Sequence, residues 1–344
     1  MIITVTPNPS LDRTYHVDEF RLGELHRANY VAVEASGKGV NVSRVLAALG
    51  VPTVAVLPVG GRAGHDLATL LGETRLPCRA VHVGGAARVN VTVIEPGGRT
   101  TKVNEPGEPL TEAELDELVR QARTAAVETG AAWVACCGSL PPGAGPELVA
   151  RLVDAAHAAG ARAAVDTSGA ALPAALAAGA DLVKPNREEL AELAGRPLPD
   201  LADVVGAARE VAAGGTAVLA SAGSEGAVLV DGGATRCLWA RAPRIRPVNT
   251  TGAGDTLLAG YLAAFLGRGA ADAAVCLAEA VALGTSACLV PGTAELPERL
   301  IPAAEVTVRR IDAAPLPEEP HEARRSLANG AEPGPARLDI GGVG

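Results

Sequence analysis

The run Asn249-Thr250-Thr251-Gly252-Ala253-Gly254-Asp255-Thr256 is followed at once by the apolar stretch LLAGYLAAFL. A glycine-rich turn that opens a helix is an anion site. Small residues let the backbone N–H groups of Gly252, Ala253 and Gly254 approach a phosphate, and the helix N-terminus adds roughly half a positive charge. Asp255 is oddly placed there, because a carboxylate beside a bound phosphate is repelled unless it takes a proton from an attacking hydroxyl. That makes it a candidate general base for phosphoryl transfer. An aspartate that merely caps the helix is the competing reading.

Such a site needs a frame. Short β-branched or apolar runs (2–6, 53–59, 133–137, 163–166, 182–184, 217–221 and 227–230) alternate with helical patterns (40–49, 112–128, 146–159, 201–213, 253–266 and 271–288). Unbroken apolar strands suit a sheet covered on both faces, and strand–helix alternation predicts a doubly wound, mostly parallel α/β sheet. Val42, Val45, Leu46 and Leu49 follow the i, i+3, i+4, i+7 spacing of a helix face, and Gly50 stops that helix. The segments 14–33 and 88–103 break the rhythm with alternating polar residues and a Pro96-Gly97-Gly98 turn. They are expected to form a small β lid, inserted at about 13–35 and 86–105, over the ligand crevice; an edge extension of the main sheet is the alternative. One large domain over 1–311 is expected, followed by a disordered tail, 312–344, rich in Pro, Gly, Ala and charge.

Composition narrows the partners. The 344 residues are 48% hydrophobic and 20% charged, so a sizeable core is available. Only seven are aromatic and the net charge is −9, which argues against nucleic acid: there is no stacking platform, and phosphate backbones would be repelled. No membrane span or basic, apolar leader is visible, so a soluble cytoplasmic protein is expected. The six cysteines form no C-x-x-C pair and the six histidines no H-x-x-x-H pair, so zinc is not indicated. A G-x-x-x-x-G-K-[ST] loop and a G-x-G-x-x-G turn after the first strand are both lacking, which weighs against P-loop kinases and nicotinamide dehydrogenases.

The run from Asn249 to Thr256 resembles the C-terminal signature of the ribokinase-like PfkB carbohydrate kinases. Residues 37–44 (GKGVNVSR) resemble the same family's N-terminal signature, and residues 6–12 (TPNPSLD) the opening of its phosphosugar branch. ARVNVTV (87–93), TKVNEPG (101–107), GSLPPG (138–143) and VKPNREEL (183–190) complete the match, in order, over roughly residues 1 to 310. The resemblance implies a three-layer α/β/α fold and ATP-dependent phosphorylation of a sugar phosphate. The nearest branch acts on D-fructose 1-phosphate to give the 1,6-bisphosphate, with tagatose 6-phosphate and fructose 6-phosphate as alternative substrates. A silent sugar-phosphate sensor is the reading of another class. Homodimerisation through the lid and use of Mg²⁺ are also implied.

By this resemblance Asp255 is the catalytic base and the Gly252, Ala253 and Gly254 amides are the anion hole. Asp12, following the first strand, suits two sugar hydroxyls. Gly37 and Gly39 allow close backbone approach, and Asn41 offers donor and acceptor. Lys38 and Arg88 would hold the substrate's phosphate, Arg88 in fork geometry, with Asn90 on the same strand face. Lys102 and Ser139 are further substrate candidates. Lys184, Asn186, Ser221, Gly223 and Gly226 would meet the nucleotide, and Glu189 would hold Mg²⁺ through water. Solvated edge charges, turn residues and a first-turn helix acid are the structural alternatives for Arg88, Asp12, Ser139 and Glu189. Ser36 and Thr92 depart from the family pattern, which usually has Gly and often Lys there.

Overall fold

The computed structural model describes residues 1–268 and 272–311. Strands β1 (Ile2–Val5), β4 (Thr53–Val59), β5 (Cys78–His82), β8 (Trp133–Cys137), β9 (Arg162–Asp166), β10 (Leu182–Val183), β11 (Ala217–Ser221), β12 (Ala227–Val230), β13 (Cys237–Arg241) and β14 (Thr307–Arg310) form one ten-stranded sheet. Its order is β14-β13-β12-β11-β10-β9-β8-β1-β4-β5, parallel from β5 to β11 and antiparallel beyond. From β1 the chain builds outward first through β4 and β5, then returns to add β8, β9, β10 and β11 on the other side. The strand order therefore reverses beside β1, and a crevice opens outside the carboxyl ends at such a point.

One face of the sheet carries α1 (Lys38–Ala48), α8 (Ala253–Arg268) and α9 (Ala273–Ala287), which share a core with Ile2, Ala135, Ala164, Leu219 and Leu229. The residues between them in the strands, such as Ile3, Val134, Val165 and Val218, are equally buried. They point to the other face, as a period of two requires, where α3 (Glu112–Thr129), α4 (Glu147–Ala158) and α7 (Leu201–Ala212) pack. That makes three layers. With so few aromatics the layers are filled by Ala, Val and Leu; α8 packs on α1 and, through small residues such as Gly260 and Gly284, closely on α9.

The lid is a separate four-stranded sheet, order β3-β2-β6-β7, made of β2 (Ser10–His16), β3 (Tyr30–Ser36), β6 (Arg88–Ile94) and β7 (Thr100–Asn104). It begins three residues earlier than the sequence pattern predicts. Pro7 and Pro9 end β1 and release the chain, and Ser10 already pairs with Ser36 and Arg88. Asp12 is consequently a residue of the lid and not of the loop after β1. The sequence pattern also leaves out α2 (Gly61–Glu73), α5 (Ala171–Ala177), α6 (Arg187–Ala194), β5, β13 and β14. The expected tail lies outside the described residues. No helix among the described residues is long and apolar enough to cross a membrane.

Candidate active site

Parallel strands deliver their carboxyl ends to one edge, where the predicted Ser139, Lys184 and Ser221 arrive from different strands together with Asp166. β8 leads to Ser139, β9 ends on Asp166, β10 is followed by Lys184, and β11 ends on Ser221. The N-termini of α1 and α8 meet the same edge. Gly37, the residue before α1, has φ 123°, and a side chain on it would stand 2.7 Å from Thr6 Cγ2. Gly39 is likewise pressed against Thr6 Oγ1, so both glycines let α1 seat on the end of β1.

Five charged groups meet inside this edge. Lys38 Nζ donates to Asp166 Oδ1 at 2.8 Å and lies 3.6 Å from Glu189 Oε1. Lys184 Nζ, itself buried, lies 3.1 Å from Asp166 Oδ2. Asp255 is buried in the first turn of α8, its Oδ2 accepting a 2.8 Å hydrogen bond from Asn41 Nδ2. Burial, then the nearby Asp166 charge, push the Asp255 carboxyl up to about 6, against the opposing pull of Asn41, Lys38 and Lys184. Asp166 moves the other way: although fully buried, it is held below the usual range by Lys184 and Lys38. Burial works against the Lys38 ammonium, but Asp166 and Glu189 together raise it above an ordinary lysine. The two acids are thus pushed apart in proton affinity, the arrangement that leaves one of them able to exchange a proton near neutrality.

The anion-hole turn lies against this cluster. Gly252 has φ 79°, a conformation that L side chains rarely adopt, and a Cβ there would stand 2.6 Å from Ala294 N. Among the described residues no protein acceptor meets the Gly252 N–H, whereas Ala253 N donates to Thr250 O at 3.3 Å. A Cβ on Gly254 would stand 3.3 Å from Lys184 Nζ, so this ammonium sits beside the helix N-terminus and adds to its positive field.

On the lid, parallel register sets Asp12 beside Asn90 and Ser10 beside Arg88. Asp12 Oδ1 accepts from Ser10 Oγ at 2.7 Å and from Asn90 Nδ2 at 2.9 Å. Arg88 Nη1 donates to Glu105 O at 3.3 Å, while Arg88 Nε, Asn90 Oδ1 and Asn41 Oδ1 are buried with no partner among the described residues. Burial lowers the Arg88 pKa, partly offset by Asp12. Unsatisfied polar atoms of this kind are costly unless a ligand completes them. Lys102, opposite Thr92 on the face of the lid that carries Asn90, donates from Nζ to Thr251 Oγ1 at 2.8 Å, so lid and anion-hole loop touch. Ser139 is exposed at the mouth, 3.4 Å from Asn8 Nδ2.

On the other side Asn186 and Glu189 form a reciprocal capping box at the start of α6: Asn186 Oδ1 accepts from Glu189 N, and Glu189 Oε2 from Asn186 N. The Asn186 carbonyl is therefore committed to the cap, and Glu189 keeps Oε1 turned toward Lys38. Ser221 pairs with Asn186 across a parallel bridge, and Gly223 is exposed in the turn that follows. Gly226 has a packing reason, since a side chain there would collide with Ala240 O on β13. Among the described residues no group of three or more His, Cys, Asp and Glu could hold a metal by itself.

Sequence reasoning passed over Asp166, the centre of the charged cluster. The available signal was positional, an aspartate closing an apolar strand at the edge where such sheets bind ligands.

The model of the pfkB family of carbohydrate kinases matches residues 6–299, and the chain belongs to that family. The fold class is ribokinase-like. The chain is 39% identical over 314 residues to the 1-phosphofructokinase of Rhodobacter capsulatus, a match covering 90% of this chain and 98% of that protein. It is 38% identical over 262 residues to the ATP-dependent 6-phosphofructokinase isozyme 2 of Escherichia coli K12, covering 75% and 83%. The crystal structure of phosphofructokinase-2 from Escherichia coli in complex with fructose-6-phosphate superposes with a TM-score of 0.77 at 34% identity, covering 84% of this chain and 93% of that one.

Proposed function

We propose that this carbohydrate kinase transfers the terminal phosphoryl group of ATP to the 6-hydroxyl of D-fructose 1-phosphate, giving D-fructose 1,6-bisphosphate. The observation that carries the chemistry is the buried Asp255, raised toward neutrality and held by Asn41, at a helix N-terminus flanked by Lys184. Asp255 takes the hydroxyl proton, and the 252–254 amides with Lys184 stabilise negative charge on the transferred group. Asp12, Asn41 and Asn90 orient the sugar, Arg88 and Lys38 meet its phosphate, and Ser139 closes the sugar side. Asn186, Ser221, Gly223 and Gly226 border the nucleotide. Seating the lid excludes water and limits ATP hydrolysis.

A divalent cation fits the donor set in one place. Glu189 Oε1, which lies 3.6 Å from Lys38 Nζ and takes no part in the capping box, would hold a magnesium ion through the ion's own hydration water. When bound with the nucleotide it neutralises phosphate charge.

The choice of fructose 1-phosphate follows the relatives named 1-phosphofructokinase. A 6-phosphate sugar is the second reading, favoured by the near-equal identity to the 6-phosphofructokinase isozyme. Initial rates with purified protein and Mg·ATP on fructose 1-phosphate, fructose 6-phosphate and tagatose 6-phosphate decide between them. The highest kcat/KM is expected for fructose 1-phosphate. A tenfold preference for either other sugar overturns this choice, and no ADP release on any would leave only a sugar-phosphate sensor.

Residues 1–311 are assigned to one kinase domain with the lid inserted, working in the cytoplasm where ATP and sugar phosphates are found. The lid exposes Leu22, Leu25, Tyr30, Val31, Val33 and Val103. A second copy laid lid to lid would cover them, and a homodimer is the expected state. Sedimentation at micromolar concentration checks it, a monomer being the contrary result.

A further inference from the structure

Three stretches of sequence meet at one side chain that the chemistry above does not use. Asn8 lies in the link from β1 to the lid strand β2, is 7% exposed, and belongs to neither sheet. Its Nδ2 donates to Pro106 O at 3.0 Å, to Leu140 O at 3.3 Å and, at 3.4 Å, toward Ser139 Oγ. Pro106 lies in the link by which the chain leaves the lid for α3, and Ser139-Leu140 is the turn after β8. On the opposite side Asn8 Oδ1 stands 2.7 Å from where a Cβ on Gly107 would be, so residue 107 has no room for a side chain. Pro7 and Pro9 on either side have no N–H to offer. The side chain of Asn8 is thus the link's means of donating to both neighbours.

We infer that Asn8 is a positioning residue that fastens the lid's entry and exit links to the turn carrying Ser139, so that seating the lid also sets Ser139 against the sugar. Asp12 stands four residues beyond Asn8 on the lid, and Ser139 stands in the turn after β8 of the main sheet. This amide is the direct hydrogen-bonded tie between the link that enters Asp12's strand and the turn that carries Ser139. The lid's links are tied to each other as well, since Ala86 N donates to Glu108 Oε2 at 3.0 Å. A shift of the exit link is thereby shared with the β5–β6 link. A rigid second support of this kind is what a binding group on a loop needs to hold its place.

The inference rests on Ser139 as a sugar contact, and its test separates the two. Asn8→Ala removes the carboxamide and leaves a methyl group; Asn8→Asp keeps the shape and the oxygen against Gly107 but loses the donors. In either variant KM for the sugar phosphate is expected to rise about tenfold, with kcat and KM for ATP little changed, while Asn8→Asp, which turns a buried carboxylate oxygen toward the Pro106 and Leu140 carbonyls, also melts lower than Asn8→Ala. Combined with Ser139→Ala, Asn8→Ala should add no more than about a twofold further rise, because both remove one contact. Sugar KM unchanged in both Asn8 variants, a full multiplication of the two effects, or equal losses for sugar and ATP overturn the inference. If Ser139→Ala alone leaves the sugar KM untouched, Ser139 as a sugar contact is what fails. Amide hydrogen exchange of the full-length protein then reads the tie directly. Asn8→Ala must speed exchange at the hydrogen-bonded amides beside the tie, Ala86 and Val89, which donate to Glu108 and Glu105 of the exit link, and Ala144, which donates to Pro141 O after the Ser139 turn, and unchanged protection there overturns it.

Discussion

Lys38 Nζ at the tip of α1 lies 2.8 Å from Asp166 Oδ1 at the end of β9, an ion pair whose carboxylate is completely buried. Asp166 also faces Lys184, and after burial its charge is the main reason that Asp255 holds its proton more tightly than an ordinary aspartate. Replacing Asp166 by Asn removes that charge and makes Asp255 easier to ionise. A base must be ionised to work, so the wild-type rate should fall with unit slope as pH drops below about 6, and in Asp166→Asn this acid limb should move to lower pH. A limb that stays in place in kcat profiles of the variant would falsify the coupling.

Asp255→Asn should lower kcat by about 10²–10⁴ while leaving both KM values within a fewfold, since the amide still accepts from Asn41 but takes no proton. Stability should change in the opposite direction. A carboxyl whose folded-state pKa lies above its unfolded value binds more protons when folded, so its contribution to stability is present at low pH and is lost as pH rises through about 6. At pH 7.5 the wild type has lost it, and the neutral amide has nothing to lose. Calorimetry at pH 7.5 is expected to show the variant melting a few degrees higher, and a lower melting temperature contradicts the burial argument.

Arg88 has a buried Nε with no partner among the described residues, next to Asn90 and Asp12. Arg88→Ala should raise KM for the sugar phosphate by about 10–100-fold with KM for ATP unchanged, and Arg88→Lys should recover part of it, because a lysine restores charge without the fork. Competition by inorganic phosphate gives a second readout: weaker inhibition in the alanine variant is expected, equal inhibition is not.

Gly252 occupies a backbone conformation with φ 79° and faces Ala294 N at a distance that leaves no space for a methyl group. Gly252→Ala must therefore shift the turn, at a cost of about 1–3 kcal/mol for the strained conformation. Displacing the amide from the transferring group should cost kcat at least tenfold. Isothermal titration should still detect sugar phosphate binding, because the sugar groups lie on the lid and α1. Full activity in this variant is incompatible with an anion hole at residue 252.

Much of this was legible before any coordinates. The i, i+3, i+4, i+7 pattern of Val42, Val45, Leu46 and Leu49 marks α1, and all but the last are fully buried, with Leu49 packed at the edge of the same core. The turn at 249–256 announces its own helix. Local signals fail where pairing partners are remote: β13 and β14 are defined by their antiparallel register with β12, and short helices such as α5 carry little periodicity. Asn186 and Glu189 show a different limit, since the N-x-x-E spacing of a ligand pair is also the spacing of a capping box.

The sequence by itself determined the chemistry on offer: a base behind a glycine turn, cations for an anionic substrate, and strands and helices in the alternation of a doubly wound sheet. These are properties of neighbours in the chain, set by residue type and spacing. Tertiary structure alone decided that Asp166 stands between Lys38 and Lys184, that Asn41 holds Asp255 across 214 residues, and that Asn8 joins three separate links. Charge interactions and burial act through space, so the proton affinity of Asp255 becomes defined only when β1, β9, α1 and α8 bring their ends to one edge of the sheet.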